Sequence, residues 1–318
     1  MERPIKGGED AVESREYHQS HLEPLQPTKS DTLPFLLIND IHDTAMARIW
    51  FVTGSSKGLG LAIVEAALAD GDNVVATARD PSTVSHLLEK HGPDRILPLA
   101  LDVSKNDQVE SAVKAAVDKF GRIDVVVNNA GYAIPRALED TSVDIFREQI
   151  DTNLLGTVYV TKAVTPILRK QQSGRILQVS SVGGRMATPG LSAYQAAKWA
   201  VGGFTGVVAK ELAPFGIKLT VLEPGGMKTD WAGFAGDDIF ISEPYQQSVG
   251  EFQKIRQQYS EFRSDPKKVA DVIVKISKVD DPPLKLLLGP ETVDLAKQVA
   301  AELAASDEKW RDATLLKI

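Results

Sequence analysis

Short apolar runs alternate with longer amphipathic stretches along the chain from Arg48 onward. The short runs are rich in Val, Ile and Leu at consecutive positions, which is typical of strands that are buried on both faces of a parallel sheet. The stretches between them have the spacing of helices that cover such a sheet through right-handed crossovers. The pattern therefore predicts an α/β fold with a doubly wound, parallel, seven-stranded sheet and helices on both faces. The predicted strands are Ile49–Thr53, Asn73–Thr77, Ile96–Leu101, Ile123–Val127, Arg175–Ser180, Lys218–Leu222 and Leu284–Leu288.

The predicted helices include two long ones, Ser142–Lys170 and Leu191–Ala213. Pro166 lies inside the first of them, where proline removes a backbone donor, so we expect a bend or an end of the regular helix there. No linker interrupts the alternation, so residues 47–318 are predicted to form a single domain. The helices begin near Gly58, Ser82, Lys105, Ser142, Leu191 and Pro266.

Residues 1–46 depart from this pattern, since they hold nine acidic against four basic residues. Their one apolar run, Phe35–Ile38, is far shorter than the ~18 residues that span a membrane. We predict a disordered acidic extension outside the catalytic fold. It resembles neither a basic transit peptide nor a secretion signal, so we expect a cytoplasmic protein without a membrane span.

A second irregular segment covers about residues 230–265 and mixes glycines, prolines, paired aspartates and aromatic residues. Long irregular segments that follow the carboxyl end of a strand often cover a substrate, so we predict a substrate lid here. A surface loop without a role is the alternative.

Composition excludes several functions. The net charge of −7 offers no basic surface for a nucleic acid. The absence of cysteine excludes disulfides, thiolate nucleophiles and Cys-bearing metal sites. All five histidines lie at or before His91, three of them in the acidic extension, which disfavours a Ser-His-Asp hydrolase and predicts no metal centre.

A glycine-rich turn follows the first predicted strand and opens a helix. Such a turn brings backbone N–H groups and a helix N-terminus to a pyrophosphate, so it predicts a Rossmann-like dinucleotide site. The spacing is T-G-x-x-x-G-x-G, and it does not fit a Walker loop because no Gly-Lys-Ser/Thr follows. The predicted cofactor-binding residues of the turn are Gly54, Ser56, Lys57, Gly58, Leu59 and Gly60.

The end of the second strand predicts which dinucleotide binds. An acidic residue there would hold the ribose hydroxyls of NAD, but this strand leads into Ala78 and Arg79. A guanidinium is a planar partner for a 2′-phosphate, and Lys57 adds a second positive charge, so NADP(H) is the predicted cofactor. Asp80 leaves an alternative open, because a shift of one residue would place a carboxylate by the ribose.

Tyr194 and Lys198 are four residues apart within a predicted helix, so they lie on one face. A nearby ammonium lowers the pKa of a phenol and makes proton exchange with an alcohol feasible. A surface tyrosine packed on a lysine stem is the alternative. The pair Ser180-Ser181 favours chemistry, because it follows the fifth strand where parallel strands open on the ligand crevice.

These motifs, taken together and in order, resemble the single-domain short-chain dehydrogenase/reductase family, over roughly residues 48–310. The motifs are Thr53-Gly54-x-x-x-Gly58-x-Gly60, Asn128-Asn129-Ala130-Gly131, Asn153, Ser180-Ser181, Tyr194-x-x-x-Lys198 and Pro224-Gly225.

The resemblance implies roles for individual residues. Tyr194 would be the general acid/base, and Lys198 would contact the nicotinamide ribose and lower the pKa of Tyr194. Ser181 would orient the substrate carbonyl, with Ser180 as the alternative, and Asn153 would hold a water in a proton relay. The remaining cofactor contacts would be Asp102 and Val103 at the adenine, Asn129, Ala130 and Gly131 at the adenosine ribose, and Pro224, Gly225, Met227 and Thr229 at the nicotinamide.

The predicted activity is hydride transfer between NADP(H) and a ketone, aldehyde or alcohol. An NADP-dependent isomerase or dehydratase and a non-catalytic NADP sensor are the alternatives. The predicted partners are a small, apolar carbonyl or alcohol substrate and further copies of the chain in a homodimer or homotetramer. An apolar substrate pocket is predicted from Gly183, Gly184, Met186, Leu191, Trp231, Phe234 and Phe240.

Overall fold

A computed structural model of the protein describes residues 46–229, 240–258 and 263–316. Seven strands form one parallel sheet in the order β3-β2-β1-β4-β5-β6-β7. The predicted doubly wound sheet is thereby confirmed, and its strand ends differ from the predicted ones by up to two residues. The strands are β1 Ile49–Thr53, β2 Asn73–Ala78, β3 Ile96–Ala100, β4 Val125–Asn128, β5 Gly174–Val179, β6 Ile217–Pro224 and β7 Lys285–Leu288.

Helices cover both faces of the sheet. They are α1 Gly58–Ala69, α2 Ser85–His91, α3 Asn106–Phe120, α4 Val143–Ile150, α5 Gly156–Gln171, α6 Ser192–Leu212, α7 Glu251–Gln258, α8 Pro266–Ile276, α9 Pro290–Lys309 and α10 Arg311–Thr314. No helix among the described residues has both the length and the apolar character needed to cross a membrane.

Successive strand residues enter opposite layers of the core, as the alternation of side chains along a strand requires. Trp50 and Val52 pack in the layer formed with α1 and α8. Phe51 packs in the other layer, with α3 and α5. Burial on both faces explains why the strands are apolar throughout.

The helix predicted over Ser142–Lys170 is interrupted at its centre. A π-helical turn over Asp151–Leu155 separates α4 from α5. The side chain of Ser142 caps the first part by accepting a hydrogen bond from Ile145 N. We expected Pro166 either to bend the helix or to end its regular part. The helix does not end there, because α5 continues through Pro166 as far as Gln171.

The sheet order places the crevice for a ligand. From β1 the chain proceeds to β2 and β3 on one side, and from β4 to β7 on the other. The loops at the carboxyl ends of β1 and β4 therefore separate and leave a crevice where α/β folds bind ligands. The residues of the predicted site lie at this edge of the sheet.

Two predicted segments fall wholly or partly outside the described residues. Residues 1–45 of the predicted extension lie outside them, as do residues 230–239 and 259–262 of the predicted lid. Within the lid, residues 243–258 are helical, forming a 3₁₀ turn, a π-turn and α7.

Candidate active site

The glycine-rich turn connects β1 to α1 in a conformation that requires glycine. Gly54 and Gly58 have positive φ angles of 68° and 58°, a region that L side chains rarely adopt. A Cβ atom on Gly60 would overlap the carbonyl oxygen of Gly54, so the turn closes tightly on the helix. The side chain of Lys57 makes no capping hydrogen bond at the N-terminus of α1. The N–H groups of the first turn thus fit the pyrophosphate of a dinucleotide.

The turn after β4 is fastened to the glycine-rich turn. The amide Nδ2 of Asn129 donates to Thr53 O at 2.9 Å and to Gly54 O at 3.1 Å. In return, Thr53 Oγ1 accepts hydrogen bonds from the backbone N–H groups of Asn129 and Ala130. The side chain of Asn129, predicted to contact the cofactor, therefore holds together the two loops that flank the crevice.

Arg79 and Asp102, both predicted to contact the cofactor, lie near enough to Tyr132 of the loop after β4 for their charges to act on it. Burial raises the pKa of the Tyr132 hydroxyl, and the charges of Arg79 and Asp102 act on it in opposite directions. Arg79 follows β2 and is exposed. Asp80 is engaged differently, because its Oδ1 accepts a hydrogen bond from Ser82 N at 3.0 Å and caps the next turn. Val103, predicted to contact the adenine, is buried in the core against Gly156.

Tyr194 lies in the first turns of α6 and is 7% exposed. Its hydroxyl is hydrogen-bonded to the side chain of Ser181, which follows β5. The Oγ of Ser181 also accepts a hydrogen bond from Gly183 N at 3.0 Å. Ser180 instead turns its hydroxyl to the Lys198 carbonyl, at 3.0 Å. Of the two serines, Ser181 is therefore the one beside Tyr194.

Lys198 lies one turn after Tyr194 and is 4% exposed. Its Nζ donates to Val179 O at 2.7 Å and lies 5.6 Å from the centroid of the Tyr194 ring. Gly131 allows Asn153 to approach, because a Cβ there would lie 2.5 Å from Asn153 Oδ1 and 3.5 Å from Lys198 Nζ. The structure thus brings Ser181, Tyr194, Lys198 and Asn153 together.

Burial controls the protonation of this cluster. It raises the pKa of Tyr194 to about 12, although the hydrogen bond with Ser181 and the charge of Arg256 act in the lowering direction. It also lowers the pKa of Lys198 to about 8. The prediction that the pKa of Tyr194 is lowered is therefore wrong for the protein without a bound cofactor. The reason is that desolvation of a phenolate outweighs the hydrogen bond with Ser181 and the charge of Arg256.

The loop after β6 crosses the site toward the glycine-rich turn. Pro224 O accepts a hydrogen bond from Ser181 Oγ at 3.5 Å, and Gly225 N donates to Leu288 O at 3.0 Å. Met227 pairs with Ser264 in a short parallel bridge. The methyl group of Thr229 would lie 3.3 Å from a Cβ on Gly58. This loop and the glycine-rich turn therefore face each other across the crevice.

The residues predicted to line an apolar pocket lie in different surroundings. Leu191, Ala133 and Tyr194 form a small apolar cluster beside the site. Gly183 and Gly184 pack closely on Gln195, Ser180 and Lys198, which places them against α6 and the end of β5. Phe240 is exposed, whereas Trp231 and Phe234 lie outside the described residues.

Arg256 of α7 was not predicted to belong to the site. Its charge lowers the pKa of Tyr194, and Tyr194 in turn acts to raise that of Arg256. The two residues are 62 positions apart in the sequence. No local pattern relates them, so only the packing of α7 onto the rest of the fold identifies Arg256.

Comparison with known proteins relates the chain to one family. The family model of the short chain dehydrogenases matches residues 48–239. Oxidoreductase BOA17 of Botryotinia fuckeliana is 57% identical over 271 residues, which is 85% of this chain and 99% of that protein. A short-chain dehydrogenase from Streptomyces avermitilis superimposes with a TM-score of 0.77 at 32% identity, covering 86% of this chain and 98% of its own. The chain also superimposes on the alcohol dehydrogenase of the archaeon Thermococcus sibiricus, complexed with 5-hydroxy-NADP, with a TM-score of 0.64 at 27% identity. The match covers 76% of this chain and 96% of that one.

Proposed function

The chain belongs to the short-chain dehydrogenase family of oxidoreductases, and on this premise we propose that it interconverts a ketone or aldehyde with the corresponding alcohol, using NADP(H). The observation that carries the proposal is the hydrogen bond between Ser181 and Tyr194 beside the buried Lys198. These groups lie at the carboxyl ends of the parallel strands, next to an uncapped helix N-terminus.

In the reductive direction, bound NADPH would supply the hydride. Ser181 holds the carbonyl oxygen through its hydroxyl, and Tyr194 donates a proton to that oxygen as the alcohol forms. Because burial raises the pKa of Tyr194 to about 12, the phenol carries this proton at neutral pH. In the oxidative direction the same hydroxyl accepts the proton.

Lys198 and Asn153 support the proton donor. The ammonium of Lys198 would bind the nicotinamide ribose, and its charge stabilises the phenolate that remains after proton transfer. Asn153 would complete a relay to Lys198, from which Tyr194 regains its proton. The proximity of Asn153 Oδ1 and Lys198 Nζ, both next to Gly131, supports this assignment.

Arg79 supports the choice of NADP(H) over NAD(H). Its guanidinium would pair with the 2′-phosphate, with Lys57 adding a second charge. Asp80 supports the same choice, because its carboxylate already caps the turn at Ser82 and follows Arg79 instead of ending β2. The complex of the Thermococcus sibiricus alcohol dehydrogenase with 5-hydroxy-NADP adds a related precedent. The other cofactor contacts remain those predicted from the motifs.

We extend the proposal to the surroundings of the site. Residues 47–318 would form one catalytic domain with a substrate lid at about 230–265, and the protein would act in the cytoplasm. Copies of the chain would associate through α5 and α6. The exposed side chains of Trp199 and Val207 on α6 support such a contact. Light scattering coupled to gel filtration would test the association, and fluorescence microscopy of a tagged chain would test the location.

The activity is tested by following the absorbance of NADPH with a panel of ketones and aldehydes. The proposal expects NADPH oxidation that depends on the carbonyl compound, with an equimolar amount of alcohol formed. Product without net NADPH oxidation would indicate an isomerase or dehydratase instead. Tight NADPH binding without turnover of any compound would indicate a sensor.

A further inference from the structure

The segment that contains α7 is fastened to the loops around the active site. Ser242 N donates to Asp140 Oδ2 at 3.0 Å, and the Tyr245 hydroxyl donates to Glu139 Oε2 at 2.9 Å. Val249 is buried and packs on Gly190, where a Cβ would come within 2.7 Å of Val249 Cγ1. Gly190 precedes Tyr194 by four residues, so α7 begins next to the helix that carries the proton donor.

Two polar side chains lie on the inner side of this segment. Gln253 and Arg256 follow Val249 by four and seven residues, which is the spacing of one helix face. Gln253 is 7% exposed and Arg256 is half-buried, whereas Lys254 and Ile255 between them are exposed. The buried side of this segment therefore carries an amide and a guanidinium.

Arg256 is close to the reacting end of the site. Its guanidinium acts on the Tyr194 hydroxyl, to which the substrate oxygen would bind. Arg263 lies next to Arg256, since its Nη2 donates a hydrogen bond to Arg256 O at 3.4 Å. Burial lowers the pKa of Arg256, and the positive charge of Arg263 lowers it further. Arg256 and Arg263 thus place two guanidinium groups on this side of the site, and a guanidinium favours an anionic group on a ligand.

Gln253 supplies a second, independent observation. Its Nε2 is buried and has no hydrogen-bond acceptor within the described part of the chain. A buried donor without an acceptor is unfavourable, and native proteins seldom retain one without a reason. An acceptor brought by a bound ligand would satisfy this amide next to Arg256.

We propose that Arg256 and Gln253 bind a carboxylate of the substrate, so that the preferred substrates are oxo acids and the corresponding hydroxy acids. A guanidinium matches both oxygens of a planar carboxylate, and an amide N–H adds a third hydrogen bond. The proposal rests on the proposed function, because it assigns the substrate class of the same site. Ala133 and Leu191 pack beside Tyr194, so the surroundings of the proton donor are apolar and suit a carbon chain.

The test compares straight-chain oxo acids with their methyl esters, with the ketone at the third, fourth or fifth carbon. For each pair, kcat/KM is measured in the wild type, Arg256→Leu, Arg256→Lys and Lys254→Gln. Lys254 is the matched control, because it is an exposed cation on the same helix that pairs only with Glu251 within the described salt bridges. Circular dichroism melting curves establish that each variant is folded.

The wild type is expected to prefer the acid of at least one pair. In Arg256→Leu the ratio of acid to ester kcat/KM should fall roughly 10- to 100-fold, with less loss in Arg256→Lys and none in Lys254→Gln. An unchanged ratio in Arg256→Leu would overturn the proposal. An equal loss for acids and esters would also overturn it, because Arg256 would then act only through Tyr194.

A separate binding measurement distinguishes failure of this proposal from failure of the proposed function. If no carbonyl compound is reduced, the proposed function fails. Isothermal titration of the NADP⁺-loaded protein with hexanoate and methyl hexanoate then decides on the carboxylate site. Binding of hexanoate that Arg256→Leu weakens would support it. Equal binding of the acid and the ester, or no binding of hexanoate, would overturn it.

Discussion

The side chain of Asn153 forms two reciprocal hydrogen bonds with the backbone of Tyr132. Its Oδ1 accepts from Tyr132 N at 3.0 Å, and its Nδ2 donates to Tyr132 O at 2.9 Å. Nδ2 also donates to Gln149 O at 2.8 Å. The π-turn presents Asn153 to the loop after β4, and π-turns within helices often mark functional positions. The amide thus shapes the crevice wall beside Lys198.

Replacing Asn153 with alanine should destabilise the fold by about 2–4 kcal/mol, because it removes these bonds and leaves partly buried backbone groups without partners. Urea unfolding would measure the change. Asn106→Ala is the matched control, since Asn106 Nδ2 pairs only with Glu110 on the surface of α3 in the described hydrogen bonds. Equal effects of the two substitutions would contradict the expectation.

Replacing Tyr194 with phenylalanine should leave NADPH binding nearly unchanged and reduce kcat by about 10²–10⁴, the usual contribution of one acid/base group. Fluorescence titration with NADPH and initial rates measure the two quantities. Tyr159→Phe is the control, because Tyr159 is a partly buried tyrosine of α5 that packs on the core. Turnover retained in Tyr194→Phe would remove Tyr194 from the mechanism.

Alanine at each of the two neighbouring serines should produce different effects. Ser181→Ala removes the partner of the Tyr194 hydroxyl and should lower kcat strongly, while the loss of the hydrogen bond from Gly183 N should cost about 1 kcal/mol of stability. Ser180→Ala removes a buried hydrogen bond to Lys198 O and should cost about 1 kcal/mol of stability, with a smaller loss of kcat. Initial rates and urea unfolding of both variants make the comparison. The reverse pattern would assign the substrate contact to Ser180.

The value of kcat/KM for NADPH should decrease as the pH rises above about 8, the pKa of Lys198. Lys198, whose pKa burial lowers to about 8, is charged below this pH and neutral above it. Tyr194 remains protonated until about pH 12, so it does not cause this decrease. The pH profile of kcat/KM reports the pKa values of groups in the free enzyme.

Lys198→Arg tests this assignment, because arginine stays charged throughout the accessible range. Its residual activity should not decrease near pH 8. A decrease in the variant at the same pH as in the wild type would assign the titration to another group.

Arg79→Ser should reduce kcat/KM for NADPH roughly 10- to 100-fold and change that for NADH little, since it removes a charge-assisted partner of the 2′-phosphate. Steady-state kinetics with both cofactors measure the ratio. Asp80→Ala provides the contrast, because it removes the cap at Ser82 and should leave the ratio unchanged. A shift of preference in Asp80→Ala, but not in Arg79→Ser, would favour the alternative that the carboxylate contacts the ribose.

Local sequence patterns were sufficient for most of the fold. Residues close together in the sequence determine the apolar strands, the glycine-rich turn and the helical spacing of Tyr194 and Lys198. The helix α9 escaped prediction because few of its side chains are buried, among them Thr292 and Ala296, and its apolar periodicity is weak. The π-turn at Asn153 also escaped it, because contacts with the distant Tyr132 stabilise the amide there.

The sequence by itself determined the parallel sheet, the order of the motifs and the types of residue that gather at its edge, because hydrophobic periodicity and turn chemistry are local. Only the tertiary structure decided that Ser181 and not Ser180 contacts Tyr194, that Tyr194 gains and Lys198 loses proton affinity, and that Arg256 joins the site. Burial and electrostatic interactions depend on distances through space, and folding brings together residues that are far apart along the chain.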